Sequence, residues 1–143
     1  KHILEVLDEF VEKGLIKTEG MEDAKLTYHD PCQIARKGGV VEQPRNLLNR
    51  IASNFVEMED AGEMNWCCGG GGGVVTIHRA DELRYKVFKL KMEQVEATEA
   101  ETLVSSCSNC RQNFDDCQAH YDWDYKMDSL LELVAENLVE EAA

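Results

Sequence analysis

The sequence predicts a single α/β domain with a mostly parallel sheet. Its 143 residues have the length of one ordinary domain, and helical and strand-like patterns alternate along them. Three segments that carry cysteine each come directly after a predicted strand. Because parallel strands end at the same edge of a sheet, these loops are expected to meet at the C-terminal ends of the strands.

The first half of the chain contains two predicted helices and two predicted strands. Residues 2–15 form an amphipathic helix, since apolar residues recur there at helical spacing: Ile3, Leu7, Phe10 and Val11. Residues 25–29 alternate in character and stop before Pro31, which favours a strand. A helix over 44–53 and a strand over 54–58 follow, with Pro44 suited to the first helical turn.

The second half again contains helices and strands, and a helix is predicted to begin at the CxxC of residues 107–110. A long helix is predicted over 78–97, with an inward apolar stripe of Ala80, Leu83, Val87 and Leu90. Residues 102–105 are short, apolar and β-branched, as in a buried strand, and a fourth strand is predicted within 121–127. Asp128 or Ser129 would cap a last helix whose inward residues are Leu130, Leu131, Val134 and Leu138. The whole order predicts a Rossmann-like sheet.

Composition limits the classes of partner. The formal charge of −13 argues against nucleic acid or an anionic membrane surface as a direct partner, because phosphate binding needs clustered Lys and Arg. The sequence contains no long apolar run and no signal-peptide pattern. We therefore expect a cytoplasmic location and no direct insertion into a membrane. The chain opens at Lys1 inside a helical pattern, and we expect it to be a C-terminal fragment of a longer polypeptide.

Five of the six cysteines form a regular pattern. Cys32 is followed after 34 residues by the pair Cys67-Cys68, and this pair is followed after 38 residues by Cys107-Ser108-Asn109-Cys110. A set of disulfides is not expected without a secretion signal, and adjacent cysteines cannot bridge without strain because their Cα atoms are only about 3.8 Å apart. The pattern therefore predicts a site that gathers thiolates around metal, with iron and sulfide as the leading interpretation.

Other chemistries explain part of the pattern. Thiolate ligands suit zinc and copper(I) as well as iron–sulfur clusters. A thioredoxin-like redox couple or half of a zinc site would account for Cys107 and Cys110 but not for the other three cysteines. A structural zinc domain and a metal-free dithiol oxidoreductase therefore remain as alternatives.

Residues near the cysteines have less specific signals. Gly69 to Gly73 lack the Gly-Lys-Ser/Thr ending of a phosphate loop, and backbone amides directed at sulfur are the better interpretation. Cys117 lies outside the pattern and is interpreted as a small buried residue. His29 is expected at the surface, with a hydrogen bond to sulfur or a proton-shuttling role as the alternative. Asp30 is a candidate for positioning the first cysteine loop through backbone amides.

The five cysteines and Gly69 together resemble the cysteine-rich CCG domain of the heterodisulfide reductase family, over roughly residues 25–118. Relatives in this family include iron–sulfur subunits of glycolate oxidase, of anaerobic glycerol-3-phosphate dehydrogenase and of sulfate-reducer membrane redox complexes. The resemblance implies that Cys32, Cys67, Cys68, Cys107 and Cys110 hold a [4Fe-4S] cluster, of the noncubane kind in heterodisulfide reductase, that transfers electrons and reduces a disulfide. Related domains carry zinc instead, so zinc stays an alternative cofactor.

The chain departs from the family pattern, because members usually carry two such domains beside a ferredoxin-like segment and neither is present here. The resemblance therefore implies one domain, residues 1–143, of a longer anaerobic iron–sulfur subunit. Its expected partners are a ferredoxin-like domain, a membrane anchor subunit and a disulfide substrate. The membrane anchor subunit would place this domain at the inner face of the membrane. Without the ferredoxin-like domain, the isolated domain would be unable to complete a catalytic cycle.

Overall fold

A computed structural model describes residues 1–139, with the backbone alone for residues 21–24. Five α-helices and four strands occur in this part of the chain, in this order: α1 Ile3–Glu12, β1 Met21–His29, α2 Glu42–Ile51, β2 Ala52–Val56, α3 Asp81–Glu96, β3 Thr102–Ser105, α4 Ser108–Tyr121, β4 Lys126–Ser129 and α5 Leu130–Glu136. Strands and helices alternate as predicted. The bounds differ by a few residues, as for α2, where Pro44 is the third helical residue and still within the first turn.

The four strands form one parallel sheet in the order β2-β1-β3-β4. The chain runs outward from β1 to β2 and then crosses back over β1 to reach β3. The strand order therefore reverses between β1 and β3, and in such sheets the crevice beyond the strand ends at this reversal is the usual place for ligands.

Helices cover both faces of the sheet. One core joins α1, α2 and α5 to Leu26, Tyr28 and Val104 of the sheet. The other core lies under α3 and α4 and contains Leu103, Phe88 and Phe114 together with three cysteines, Cys68, Cys110 and Cys117. The predicted α/β fold with a parallel sheet is confirmed, and the second core is the one on which the cysteine loops rest.

The inward face of α3 is not the predicted one. Leu83 and Leu90 are 67% and 46% exposed, and the buried residues of this helix are Arg84, Phe88, Lys91 and Val95. The two stripes differ by one residue, which is a rotation of about 100° around the helix axis. The prediction was wrong because it counted apolar residues, whereas two basic side chains of α3 are accommodated in the interior.

The other deviations are local. In α5 the buried residues are Leu130, Leu133 and Val134, while Leu138 lies beyond the helix and is exposed. Asp122 ends α4 in a left-handed conformation, and β4 begins inside the predicted range but runs two residues beyond it, to Ser129. Within the described residues, no helix combines the length and the apolar character needed to cross a bilayer.

Candidate metal centre

The three cysteine segments follow β1, β2 and β3 and meet at the carboxyl edge of the sheet. A cavity of about 320 Å³ lies between them, and its wall includes four of the five predicted ligands: Cys32, Cys68, Cys107 and Cys110. Cys67 lies next to Cys68 but is not part of this wall, and its sulfur accepts a hydrogen bond from the amide of Gly69 at 3.3 Å. All six cysteines are free thiols.

The glycine run brings backbone amides close to sulfur. Besides Gly69, the amide of Gly70 donates to Cys68 Sγ at 3.4 Å. Gly69 has a φ of +92°, which L residues rarely adopt. At Gly70 a Cβ atom would lie 2.7 Å from Cβ of Asn113, so only glycine allows this approach. The interpretation of the glycines as amide donors is thus confirmed for the first two of them.

The CxxC pair lies at the beginning of α4, as predicted. Cys107 is the N-cap residue and Cys110 is in the first turn. The pKa of Cys107 is lowered to about 6, first by a hydrogen bond with the Cys110 thiol and then by the amides of Cys110 and Asn109 at the helix start. This cysteine is therefore largely ionised at neutral pH.

The remaining thiols are strongly coupled to one another. The pKa of Cys68 is far below its usual range because the thiols of Cys110 and Cys67 hydrogen-bond to its sulfur. The pKa of Cys110 is raised by hydrogen bonds with Cys107 and Cys68, and that of Cys67 by its hydrogen bond with Cys68. Negative charge is therefore concentrated on Cys68 and Cys107, and the cavity is suited to a positively charged metal.

His29 is a buried member of the same cluster. Its ligand nitrogen lies with the sulfurs of Cys68 and Cys110 in a group whose atoms are all within 4.8 Å of one another. The side chain is 1% exposed, and neither ring nitrogen makes a hydrogen bond of normal geometry. Burial lowers the pKa of His29 against the opposing effect of Cys68, so the imidazole is neutral and one nitrogen can donate.

The expectation that His29 lies at the surface was wrong. It assumed a strand end open to solvent, but a side chain of α4 covers the imidazole. The ring of Phe114 packs edge-on against the imidazole, with the ring centroids 5.0 Å apart.

Asp30 joins two of the three cysteine segments. Its carboxylate accepts two hydrogen bonds from the guanidinium of Arg45, both at 2.8 Å, and a third from the amide of Gly62 at 2.7 Å. Gly62 belongs to the segment that leads to Cys67, so this carboxylate connects the loop after β1 to the loop after β2. The predicted use of a backbone amide is confirmed, although the amide belongs to the second loop and not to the first.

Two asparagines of α4 hold the glycine loop. Asn113 donates to the carbonyl of Cys68 at 2.6 Å, and Asn109 donates to the carbonyl of Gly70 at 2.8 Å. Asn113 also accepts a hydrogen bond at 2.8 Å from Arg84, a buried residue of α3. These contacts were not predicted. Their only signal in the sequence is the i, i+4 spacing of the two asparagines just after Cys107, which places them on one helical face.

Cys117 is separate from the cavity. It is fully buried in the core under α3 and α4, and burial raises its pKa to about 12. A neutral thiol in apolar surroundings is a poor metal ligand, so the structure agrees with its interpretation as a small core residue.

Comparison with known proteins identifies the family. Residues 26–115 match the model of the cysteine-rich domain family, CCG. The chain belongs to this family. The match covers more than half of the chain and includes all five cysteines of the pattern, which confirms the resemblance seen in the sequence.

Several curated relatives of this CCG domain are oxidoreductases or subunits of them. It is 36% identical over 138 residues to a subunit of the dihydromethanophenazine:CoB–CoM heterodisulfide reductase of Methanosarcina acetivorans, covering 96% of this chain and 33% of the relative. It is 33% identical to the EtfAB:quinone oxidoreductase of Syntrophomonas wolfei, over 76% of this chain and 16% of the relative. It is 38% identical to the second iron-sulfur subunit of the Hdr-like menaquinol oxidoreductase of Archaeoglobus fulgidus, over 57% of this chain and 15% of the relative. The chain spans about a third of the length of the heterodisulfide reductase subunit.

Proposed function

We propose that this CCG domain holds an iron–sulfur cluster of the [4Fe-4S] type and transfers electrons within a heterodisulfide-reductase-like subunit. The observation that carries the proposal is the convergence of four cysteines from three separate segments on one cavity, with the fifth directly beside it. The donor set fits the group, because soft thiolates are the ligands of iron–sulfur clusters and a pair of amides already donates to two of the sulfurs.

The number of cysteines favours a cluster over a single ion. A structural zinc site closes around one ion with four ligands. Here four cysteines line one cavity and a fifth lies directly beside it, which is one thiol more than such a site uses. We infer that Cys32, Cys67, Cys68, Cys107 and Cys110 are the ligands of a group with several atoms.

When bound, such a cluster supplies one-electron transfer. The protein contributes the surroundings that set its potential. Hydrogen bonds from Gly69 and Gly70 to ligand sulfurs withdraw charge from them, which favours the reduced state. His29 is a neutral buried donor whose ring nitrogens make no hydrogen bond of normal geometry, and we assign it a hydrogen bond to a sulfur of Cys68 or Cys110.

We further propose that the reaction served by this domain is the reduction of a disulfide to two thiols. This consumes two electrons and two protons for each disulfide. The electrons would arrive one at a time from a ferredoxin-type donor in another domain or subunit, and the protons would come from solvent. The support is the relative whose name includes a heterodisulfide reductase, together with a cavity whose wall is formed partly by Gly71 to Gly73, which have open space where side chains would stand.

The donor and the membrane connection would lie outside this domain. Since the relatives are several times longer, we propose that residues 1–143 are one domain of a longer iron–sulfur subunit, cytoplasmic and held at the membrane through a partner. Alone, the domain would accept and release electrons without completing the reaction.

The test is the content of iron, acid-labile sulfide and zinc in protein purified or reconstituted without oxygen, together with its visible spectrum. We expect about four irons and four sulfides per chain and a brown colour. We expect Cys68→Ala to lose them and Cys117→Ala to retain them, because only the first residue lines the cavity. Equal iron content in the two variants would contradict the ligand assignment.

Two other results would replace the proposal. One zinc ion without sulfide would make this a structural zinc domain, for which His29, Cys68 and Cys110 offer a suitable nitrogen and sulfur set. Disulfide exchange that persists without metal in a Cys32→Ser, Cys67→Ser double variant would indicate a dithiol oxidoreductase that uses Cys107 and Cys110.

A further inference from the structure

The buried face of α3 carries two basic side chains toward the cysteine segments, and they differ in their partners. Arg84 is paired with two carboxylates, Asp81 at 2.9 Å and Asp116 at 3.2 Å. Lys91, two turns further along the same face, has no carboxylate oxygen within 4.0 Å among the described residues. A buried ammonium group of this kind needs an explanation, because burying an unpaired charge is strongly unfavourable.

The surroundings of Lys91 solvate its ammonium group only in part. The side chain is 0% exposed. Its Nζ atom donates to Oε1 of Gln94 at 2.7 Å and contacts the thioether sulfur of Met58 at 3.6 Å. Gln94 in turn donates to Asp60, so a neutral amide lies between Lys91 and this carboxylate. One strong acceptor is too few for a group with three donor hydrogens.

The cysteines lie on the same side of α3. Met58, which Lys91 contacts, packs in the core that contains Cys68 and Cys110. Burial lowers the pKa of Lys91 to about 8, while Asp60, Asp30, Cys68 and Cys67 act in the opposite direction. The ammonium form therefore predominates at pH 7, close enough to two proposed ligands to interact with their charge.

We propose that Lys91 is the buried counter-charge of the thiolate-bound cofactor. It would offset the negative charge that the cysteines bring into the cavity, strengthen metal binding and favour the reduced state, which carries one more negative charge. This rests on the proposed ligation by thiolates, because four or five thiolates carry more negative charge than iron–sulfur cores or a divalent ion neutralise. Arg84 is not available for this role, since its charge is already balanced by two aspartates.

The test compares Lys91→Met with a matched control on the same helix. Lys91→Met keeps an unbranched apolar chain and removes the charge, and Lys91→Arg keeps the charge. Lys89 is exposed on α3, so Lys89→Met removes the same net charge from the solvent side. The first readout is the affinity of the reduced, metal-free protein for Co²⁺, followed through thiolate-to-cobalt absorption. The second is the midpoint potential after reconstitution with iron and sulfide.

We expect Lys91→Met to bind Co²⁺ about tenfold more weakly than wild type. The Co²⁺ affinity of Lys89→Met should stay within about twofold of wild type, because solvent screens the exposed charge of Lys89. In the reconstituted protein we expect an equilibrium shift of about tenfold against reduction, which is a midpoint about 59 mV lower for one electron. The urea midpoint of metal-free Lys91→Met should be no lower than that of wild type, because that variant removes a buried charge with no carboxylate partner. Lys91→Arg should retain most of the wild-type Co²⁺ affinity.

Three results would overturn the role of Lys91. The first is a Co²⁺ affinity and a midpoint potential that are unchanged in Lys91→Met, and the second is an equal loss of Co²⁺ affinity in Lys91→Met and Lys89→Met. The third is an equal loss of Co²⁺ affinity in Lys91→Met and Lys91→Arg, which would indicate that the shape of the side chain matters and not its charge. The proposed function fails separately. Wild type that takes up no iron or sulfide but binds Co²⁺ more tightly than Lys91→Met would refute the cluster and support the counter-charge.

Discussion

The ion pair between the buried Asp30 and the partly buried Arg45 offers a direct test of how the cavity is held together. Asp30 is 1% exposed and accepts three hydrogen bonds, two from Arg45 and one from the amide of Gly62. Asp30→Asn keeps the size of the side chain but removes its charge and replaces one acceptor by a donor. The loop after β1 and the loop after β2 would then lose one of the contacts that join them, while the hydrogen bonds from Arg36 to the carbonyls of Glu63 and Asn65 would remain.

The expected loss of stability follows from the burial of Asp30. Removing one partner of a buried ion pair costs about 3–5 kcal/mol, because the other charge is left without compensation. Here Arg45 keeps Glu57, at 2.6 and 3.0 Å on the solvent side, so we expect the lower end, about 3 kcal/mol. With a urea m-value of about 2 kcal/mol/M, the urea midpoint would fall by about 1.5 M.

The assay is urea unfolding of the reduced, metal-free protein at pH 7, followed by circular dichroism, with Glu57→Gln as the matched control. Glu57 binds the same guanidinium but is 41% exposed, so its neutralisation should cost less than about 1 kcal/mol. An Asp30→Asn midpoint as high as that of Glu57→Gln would refute the reasoning, since burial would then make no difference to the pair.

Two further predictions concern the cysteine loops. Gly70→Ala should destabilise the metal-free protein by about 1–3 kcal/mol and reduce iron uptake, because its Cβ would lie 2.7 Å from Asn113. In the control Gly71→Ala the new methyl group has open space, so stability and iron uptake should stay near those of wild type. Urea unfolding and iron content measure both variants, and equal behaviour would contradict the close approach at Gly70. In the reduced, metal-free protein, alkylation of Cys107 should rise through a pH of about 6, because its pKa is lowered to about 6 and the thiolate, which is the reactive form, predominates above that value. Mass spectrometry after brief labelling at a series of pH values measures the alkylated fraction of each cysteine. Cys117 serves as the unreactive control because burial raises its pKa to about 12. A midpoint near pH 9 for the labelling of Cys107 would be inconsistent with the helix-start environment.

The placement of the cysteine segments could be predicted from the sequence because it follows from a general property of parallel sheets. Each segment comes directly after a strand, and β1, β2 and β3 are neighbours in the sheet with their carboxyl ends at one edge. The crossover connection that makes β1 and β3 adjacent was not needed for this step. Spacing along the chain therefore predicted the convergence without any knowledge of strand order.

The surroundings of the cysteines could not be predicted in the same way. His29 is buried because Phe114 of α4 packs against its ring, and α4 is far away along the chain from β1. The inward face of α3 lies one residue away from the predicted face because Arg84 is paired with Asp116 and hydrogen-bonded to Asn113, both of them in α4. Such burial of polar groups depends on partners that only folding brings near.

The sequence by itself determined the alternation of helices and strands, the family and the set of five clustered cysteines. These depend on local periodicity and on residues that recur at a fixed spacing, which are present in the chain before it folds. Only the tertiary structure decided which side chains surround the thiols: His29 without a normal hydrogen bond, Asp30 joining two loops, and Lys91 buried without a carboxylate partner among the described residues. The physical reason is that the free energy of a buried charge or polar group depends on the distances to all its neighbours, and those distances are set by packing between elements far apart in sequence.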